Sequence, residues 1–247
     1  MTFLNCVDTG EFNGTQLTRL GHIQLGYQMN TLLLSIPGPI SAIVKGNKDL
    51  LYVATAQPAK VWQVQSGQEP IVVFENDKPM INAMLMLPNG ELAIVTGPEG
   101  GVHFVKPGVW DKVLYVEVPQ INLLLGAQAD KDSLYLVGGG DTGELLKLSR
   151  ATQKIEILAS VDELHLRSIL ISRGESSIYL GGGDQGVVYH YQNGAMSSIY
   201  SAGPSEVTSI IQDKKGQVFA SFKEAQSSSV IRIDEGGKIN ELSAIPA

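Results

Sequence analysis

The chain is short of nearly everything that crosslinking or group chemistry requires. One cysteine, Cys6, among 247 residues excludes an internal disulfide, and a chain of this length can bury a sufficient core without one. Cys6 has no neighbouring pattern that would activate a thiolate, so it reads as a small buried residue. The four histidines, His22, His103, His165 and His190, stand at no metal-ligand spacing, whereas a zinc site needs three or four converging ligands. No apolar run approaches the roughly 20 residues of a membrane span; the strongest, Thr31–Ile36 (TLLLSI), is strand-sized. The opening MTFLNCVDTG has no basic segment ahead of a long apolar one, so no signal peptide is expected. The chain reads as soluble, with its compartment open. Basic residues are also scarce: 18 Lys and Arg against 25 Asp and Glu leave a net charge of −7. That removes any bulk attraction to nucleic acid or to an anionic membrane.

What the chain has in quantity is repetition. Apolar runs recur as LLYVAT (50–55), ELAIVT (91–96), SLYLVG (133–138), SIYLGG (177–182) and QVFASF (217–222), stepping by 41, 42, 44 and 40 residues from Leu51. Each is preceded by another run (ISAIV, INAML, INLLL, LRSIL, VTSII) across a polar turn such as LPNG or ADKD. Each is followed by a third (KVWQV, GVHFV, ELLKL, VVYHY, VIRI) and a fourth (IVVFE, VLYVEV, IEILAS, SSIYSA, INELS). These are short strands cut by Gly, Asn, Asp and Pro turns, here named a to d, and no stretch sustains a helical period. The b runs are almost wholly apolar, as strands covered on both faces must be.

Four-stranded units of about 40 residues, repeated along the chain, resemble a β-propeller. The resemblance implies an all-β fold in one domain over 1–247. It has six blades at about 1–39, 40–77, 78–119, 120–163, 164–206 and 207–247. The first is atypical: it is either shortened or begins at strand b, so its register and the closure of the ring stay open. An open β-sandwich or solenoid is the other architecture. No family motif recurs. Trp110-Asp111 occurs once and late for a WD40 repeat, and Gly138–Gly140 and Gly181–Gly183 resemble the kelch double glycine without its downstream aromatics. The likeness is to an architecture that hosts many functions.

Two glycine loops invite chemical readings. GGGDTG (138–143) has the spacing of a dinucleotide loop, but such a loop must open a helix that holds the pyrophosphate, and here strand c follows. GGGDQG (181–186) repeats it in the same context. The Asp-Thr-Gly triplets at 8–10 and 141–143 could supply paired carboxylates, yet each is followed by Glu. Both loops read as b–c turns whose glycines supply positive φ. No cofactor and no catalytic residue is assigned.

The charges give the functional expectation. In an antiparallel meander the b–c turns and d–a connections share one end. That end carries Glu99, Asp141, Asp184, Glu224, Glu75, Asp77, Glu117, Asp162, Glu163 and Glu206, with Lys78 and Lys223 as its main bases. The other end mixes Lys45, Lys48, Lys106, Lys112, Lys131, Arg150, Lys154, Arg173, Lys214, Lys215 and Lys238 with acids. Clustered like charge draws a basic partner. The expected function is therefore a non-enzymatic protein-interaction or scaffold module, in a larger chain or an assembly. Its partner-binding residues are Glu99, Asp141, Asp184, Glu224, Asp162, Glu163 and Glu206. A small-ligand or glycan site at the central channel mouth is the alternative; a metal-dependent hydrolase or lyase is the third. The Ser-rich 223–230 segment reads as a longer b–c loop.

Overall fold

The structure is a computed structural model that describes residues 15–17, 22–25, 35–47, 49–98, 100–173, 177–225, 227–234 and 237–246. The chain divides into two compact units, Met1–Ser35 and Ile36–Ala247. In the first unit the described strands are β1 (Thr15–Leu17) and β2 (Ile23–Leu25), paired antiparallel.

The second unit is five antiparallel four-stranded meanders. The first sheet holds β3 (Ile40–Lys45), β4 (Leu50–Thr55), β5 (Lys60–Gln65) and β6 (Ile71–Glu75). The second holds β7 (Met80–Met86), β8 (Leu92–Gly97), β9 (Gly101–Lys106) and β10 (Val109–Glu117). The third holds β11 (Leu123–Ala129), β12 (Ser133–Gly139), β13 (Gly143–Ser149) and β14 (Ile155–Val161). The fourth holds β15 (Leu166–Ile171), β16 (Ser177–Gly182), β17 (Val187–Gln192) and β18 (Ala195–Ser201). The fifth holds β19 (Glu206–Gln212), β20 (Val218–Lys223), β21 (Ser227–Ile233) and β22 (Ile239–Pro246).

The four-stranded count is thus five, not the expected six, among the described residues. The expected b run of the first segment, QLTRL (16–20), carries Gln16, Thr18 and Arg19. Such a strand cannot be covered on both faces without stranding polar groups. The expected runs FLNCV and most of TLLLSI lie outside the described residues. The Ser-rich segment is corrected as well. Ser227–Ser229 belong to β21, and Ser228 and Ser229 pair with β20; the turn is closed by the Glu224 N–H donating to the Ser227 carbonyl at 3.0 Å.

Burial follows strand position. β8 is buried at every residue, and β12 and β16 at all but one, whereas β10, β14 and β18 together hold a single buried residue, Val116. Successive b-strand residues face opposite sheets, as a period of two demands. Leu92 and Ile94 pack toward the first sheet with Val61 and Phe74; Ala93 and Val95 pack toward the third with Leu124, Leu136 and Leu146. Further apolar layers join the third to the fourth sheet around Val137, Leu145, Leu166 and Leu180, and the fourth to the fifth around Val188, Val207, Ala220 and Phe222. The a strands lie side by side from β3 through β7, β11 and β15 to β19. Side chains tie them: Asn82 donates to the Leu124 carbonyl at 2.6 Å and Ser168 to the Val207 carbonyl at 3.1 Å.

One irregularity repeats in every sheet. Each a strand carries a bulge near its start, opposite Thr55, Thr96, Gly138, Gly182 and Phe222 in turn. A bulge bends the strand and re-aims its side chains, and here it puts Ser41, Asn82, Leu125, Arg167 and Thr208 in the extra position.

Leu146 is fully buried between the second and third sheets. Leu146→Ala is expected to lower the unfolding free energy by about 2–5 kcal/mol, measured by urea denaturation with an unchanged slope.

Candidate functional site

The candidate site lies at the end of the sheets that holds the b–c turns and the d–a connections. The structure distributes the expected residues unevenly. Asp141 and Asp162 are exposed; Asp184, Glu206 and Glu224 are half-buried; Glu163 is only 3% exposed. Glu99 lies outside the described residues. Glu75, Asp77 and Glu117 are also exposed at this end.

Two cations that the sequence did not bring to this end belong to it. Lys60 opens β5 and pairs with Glu75 at 3.0 Å. Arg167, the bulged residue of β15, pairs with Glu206 at 2.5 Å. Arg167 escapes a reading by strand order because a residue near the start of strand a belongs to the same end as the d–a connection. Both pairs tie adjacent elements; Asp77, Glu117, Asp141 and Asp162 are exposed carboxylates of this end, and Lys223 is an exposed cation of the same end. Glu224 accepts the Ser227 hydroxyl at 2.5 Å and so holds its own turn.

The glycine loops have a different use from the one expected. Among their residues only Gly186 has a positive φ, 59°. The others leave room for neighbouring groups. A Cβ on Gly138 would stand 2.0 Å from the Leu123 carbonyl oxygen, and one on Gly139 2.1 Å from that of Leu164. A Cβ on Gly182 would stand 2.2 Å from a Glu163 carboxylate oxygen, and one on Gly183 2.1 Å from Nε2 of His165. The loops are also not in strict register. Gly138 sits opposite Leu124 at the a-strand bulge, and the residue at that place in the fourth sheet is Gly182, 44 positions on rather than the 43 that aligns the GGGD strings.

Gly182 and Gly183 admit Glu163 and His165 of the connection between the third and fourth sheets. Oε2 of Glu163 accepts the backbone N–H groups of Asp184 and Gln185, both at 3.2 Å, and the Tyr189 hydroxyl donates to Oε1 at 3.4 Å. Burial, followed by the hydrogen bond to Asp184, raises the Glu163 carboxyl to about 7. Burial and the Glu163 charge push the Tyr189 phenol up to about 12. Beside this node a groove of about 640 Å³ is lined by Asp162, Gln185, Tyr189, Ser198, Tyr200 and Ser201. It opens on outer strands β17 and β18.

His103 of β9 is a second buried polar point. It packs between Phe74 and Tyr115, with ring centroids 5.2 and 4.6 Å away. Asn76 donates to its Nε2 at 2.8 Å. The other end of that amide accepts the Lys78 N–H, so the neutral imidazole carries its proton on Nδ1. Burial lowers the ring to about 4, against the opposing pull of Asp77. His190 of β17 stacks on Tyr179 at 4.6 Å. Among the described residues no three of His, Cys, Asp and Glu converge as a metal site, and no helix is long and apolar enough to cross a membrane.

No family model matches the chain, and no curated protein does either. Solved structures do. A chain of the nidogen/laminin complex is similar at 13% identity, with a TM-score of 0.66 over 84% of this chain and 80% of that one. Selenomethionine-substituted virginiamycin B lyase from Staphylococcus aureus is similar at 10% identity, with a TM-score of 0.71 over 92% and 76%. Its catalytically inactive form with quinupristin gives 0.64 over 92% and 75% at 10% identity. The fold is a β-propeller. Its repeats run 40–44 residues, and identities this low carry the architecture and nothing of the chemistry.

Two outcomes are expected. Gly182→Ala forces a methyl group onto the Glu163 carboxylate and lowers stability by about 1–3 kcal/mol. Gly140→Ala, whose Cβ meets only the end of Asn122 at 3.1 Å, costs less; thermal unfolding of both variants separates them. The lowered His103 ring makes the folded state resist protonation. Its contribution to stability is complete above about pH 6.5 and is lost as pH falls toward 4. The His103 ring shift followed by NMR is expected to titrate near 4, and His103→Gln removes that part of the acid slope.

Proposed function

We propose that this propeller is a protein-interaction module and that its b–c and d–a end receives a basic surface of the partner. The observation that carries the reading is the pairing pattern at that end. Lys60 and Arg167 are consumed by Glu75 and Glu206, while Asp77, Glu117, Asp141 and Asp162 stay exposed. These exposed carboxylates outnumber Lys78 and Lys223 at the same end, and a predominantly negative field speeds encounter and selects the partner's charge. Of the residues expected at the interface, Asp141 and Asp162 present this charge, and the half-buried Asp184 accepts the Leu164 N–H. Glu206 and Glu224 hold the turns in shape, and Glu163 supports them from beneath. The similarity to a chain of the nidogen/laminin complex is in keeping with a propeller used for protein recognition. The similarity to virginiamycin B lyase keeps enzymatic use of the architecture in view.

A second reading has its own observation. The groove beside Asp162 presents two tyrosines, a glutamine and serines, a mixture of aromatic faces and hydrogen-bonding groups suited to a small polar ligand or a sugar. It lies on the outer strands rather than at a central mouth.

The test compares wild type with a variant carrying Asp77→Asn, Glu117→Gln, Asp141→Asn and Asp162→Asn in capture from source-cell extract at low and moderate salt. These changes spare both ion pairs. The variant is expected to bind a captured partner about tenfold more weakly, with the difference shrinking as salt rises. Equal capture by both proteins would remove the acidic end from the interface. Capture of nothing, with thermal stabilisation by a sugar panel lost in Tyr189→Ala, would favour the groove.

A further inference from the structure

The a–b and c–d end of the third sheet holds a groove of about 810 Å³, lined by four cations, Lys131, Lys147, Arg150 and Lys154, and two acids, Asp132 and Glu156. The cations have different duties. Arg150 ties the two turns together. Its backbone N–H donates to the Asp132 carbonyl at 3.1 Å. Its guanidinium donates to the Lys131 carbonyl at 3.0 Å and stands 3.9 Å from the Glu91 carboxylate. The ammonium groups of Lys131, Lys147 and Lys154 make no ion pair with any carboxylate among the described residues.

Strand register sets where these charges stand. Lys147 of β13 lies opposite Glu156 of β14, yet its ammonium turns to Tyr135 of β12, 5.8 Å from the ring centroid. Ser149, two residues on, shares the face of Lys147. Its N–H donates to the Lys154 carbonyl at 2.9 Å, which sets Lys154 across from it. Lys147 and Lys154 are therefore diagonal neighbours on one face, about 7–8 Å apart, with the Ser149 hydroxyl between them. The Ser149 and Thr152 hydroxyl oxygens accept the Thr152 and Lys154 N–H groups, both at 3.4 Å. Their own protons meet no acceptor among the described residues, so the groove offers hydroxyl donors beside its ammonium groups.

We propose that this groove binds an extended acidic segment of a partner protein, its carboxylates directed to Lys147, Lys154 and Lys131. An extended chain sets every second side chain on one side, about 6.6–6.8 Å apart, which matches the Lys147–Lys154 diagonal. Asp132 and Glu156 are exposed within the same lining. They repel a polymer of unbroken negative charge, such as nucleic acid or a sulfated polysaccharide, as does the net charge of −7. A peptide brings backbone N–H groups that those two carboxylates can accept. The site belongs to the opposite end from the exposed carboxylates and does not depend on what they meet.

The test is fluorescence anisotropy at low salt with a labelled peptide of alternating Asp and Thr, beside the same peptide carrying Asn for Asp. The acidic peptide is expected to bind about tenfold more tightly than the neutral one, with the difference shrinking as salt rises. Lys147→Gln combined with Lys154→Gln should weaken it about three- to tenfold. Lys214→Gln combined with Lys215→Gln removes the same charge from exposed positions on the fifth sheet's a–b turn and should leave the affinity unchanged. No binding of the acidic peptide, equal binding of the neutral one, or an equal loss in both double variants overturns the proposal. Heparin held through Lys147 and Lys154 where the peptide is not held overturns it too, in favour of a sulfated polysaccharide. Should the first double variant fail to fold, Lys154→Glu decides: Lys154 is exposed, and undiminished binding by that variant overturns the site.

Discussion

A four-stranded sheet with two apolar faces cannot rest alone in water, and everything else in this protein depends on that constraint. Leu92 and Ile94 look one way and Ala93 and Val95 the other, so the second sheet needs a neighbour on each side. The requirement passes along the chain through four apolar layers joining five sheets. At about 25 cal/mol per Å² of apolar area buried, such layers dominate the favourable side of folding. The limit on their approach is the backbone near the a strands, where the glycines at 138, 139, 181 and 182 yield the space that a side chain would take. The bulge that recurs opposite Thr55, Thr96, Gly138, Gly182 and Phe222 is the geometric counterpart. It bends each a strand as it enters the crowded inner edge.

Close approach has an electrostatic consequence. Connections pressed onto b-strand ends carry polar residues inward with them, and the two clearest cases titrate in opposite senses. His103, enclosed by Phe74 and Tyr115, stays neutral well below its ordinary range. Glu163, enclosed by Gly182 and the Asp184 turn, holds its proton well above its own. Burial disfavours the charged form in both, so one is most at ease on the alkaline side and the other on the acid side.

The architecture was legible because period-2 burial and a 40–44-residue step survive in a single sequence. All five b runs lie within a residue of the strands observed. The first segment was over-read, since runs such as QLTRL satisfy a loose pattern without supplying a face that can be covered on both sides. At the site, strand order placed the carboxylates at one end but said nothing of their environments. Glu163 looks like Asp162 in the string VDELHL, and only the glycine opposite it, Gly182, hints that one of the two is buried. Arg167 was missed because a bulge, not an alternation, decides where it points. The glycine runs were read through their most familiar property, positive φ, when the demand at these positions was for volume.

The two ends of the sheets are consequently not equivalent surfaces. At the b–c and d–a end, two cations, Lys60 and Arg167, hold neighbouring elements together through Glu75 and Glu206, while Lys223 is exposed. The carboxylates that remain exposed stand on turns fixed by backbone hydrogen bonds and glycine contacts. At the opposite end a groove of about 810 Å³ is lined by Lys131, Lys147, Arg150 and Lys154 beside Asp132 and Glu156. The lining of that groove is mixed, four cations against two acids, whereas the exposed charges named at the other end are mainly carboxylates. In this propeller the packing constraint and the surface charge are two results of the same close approach.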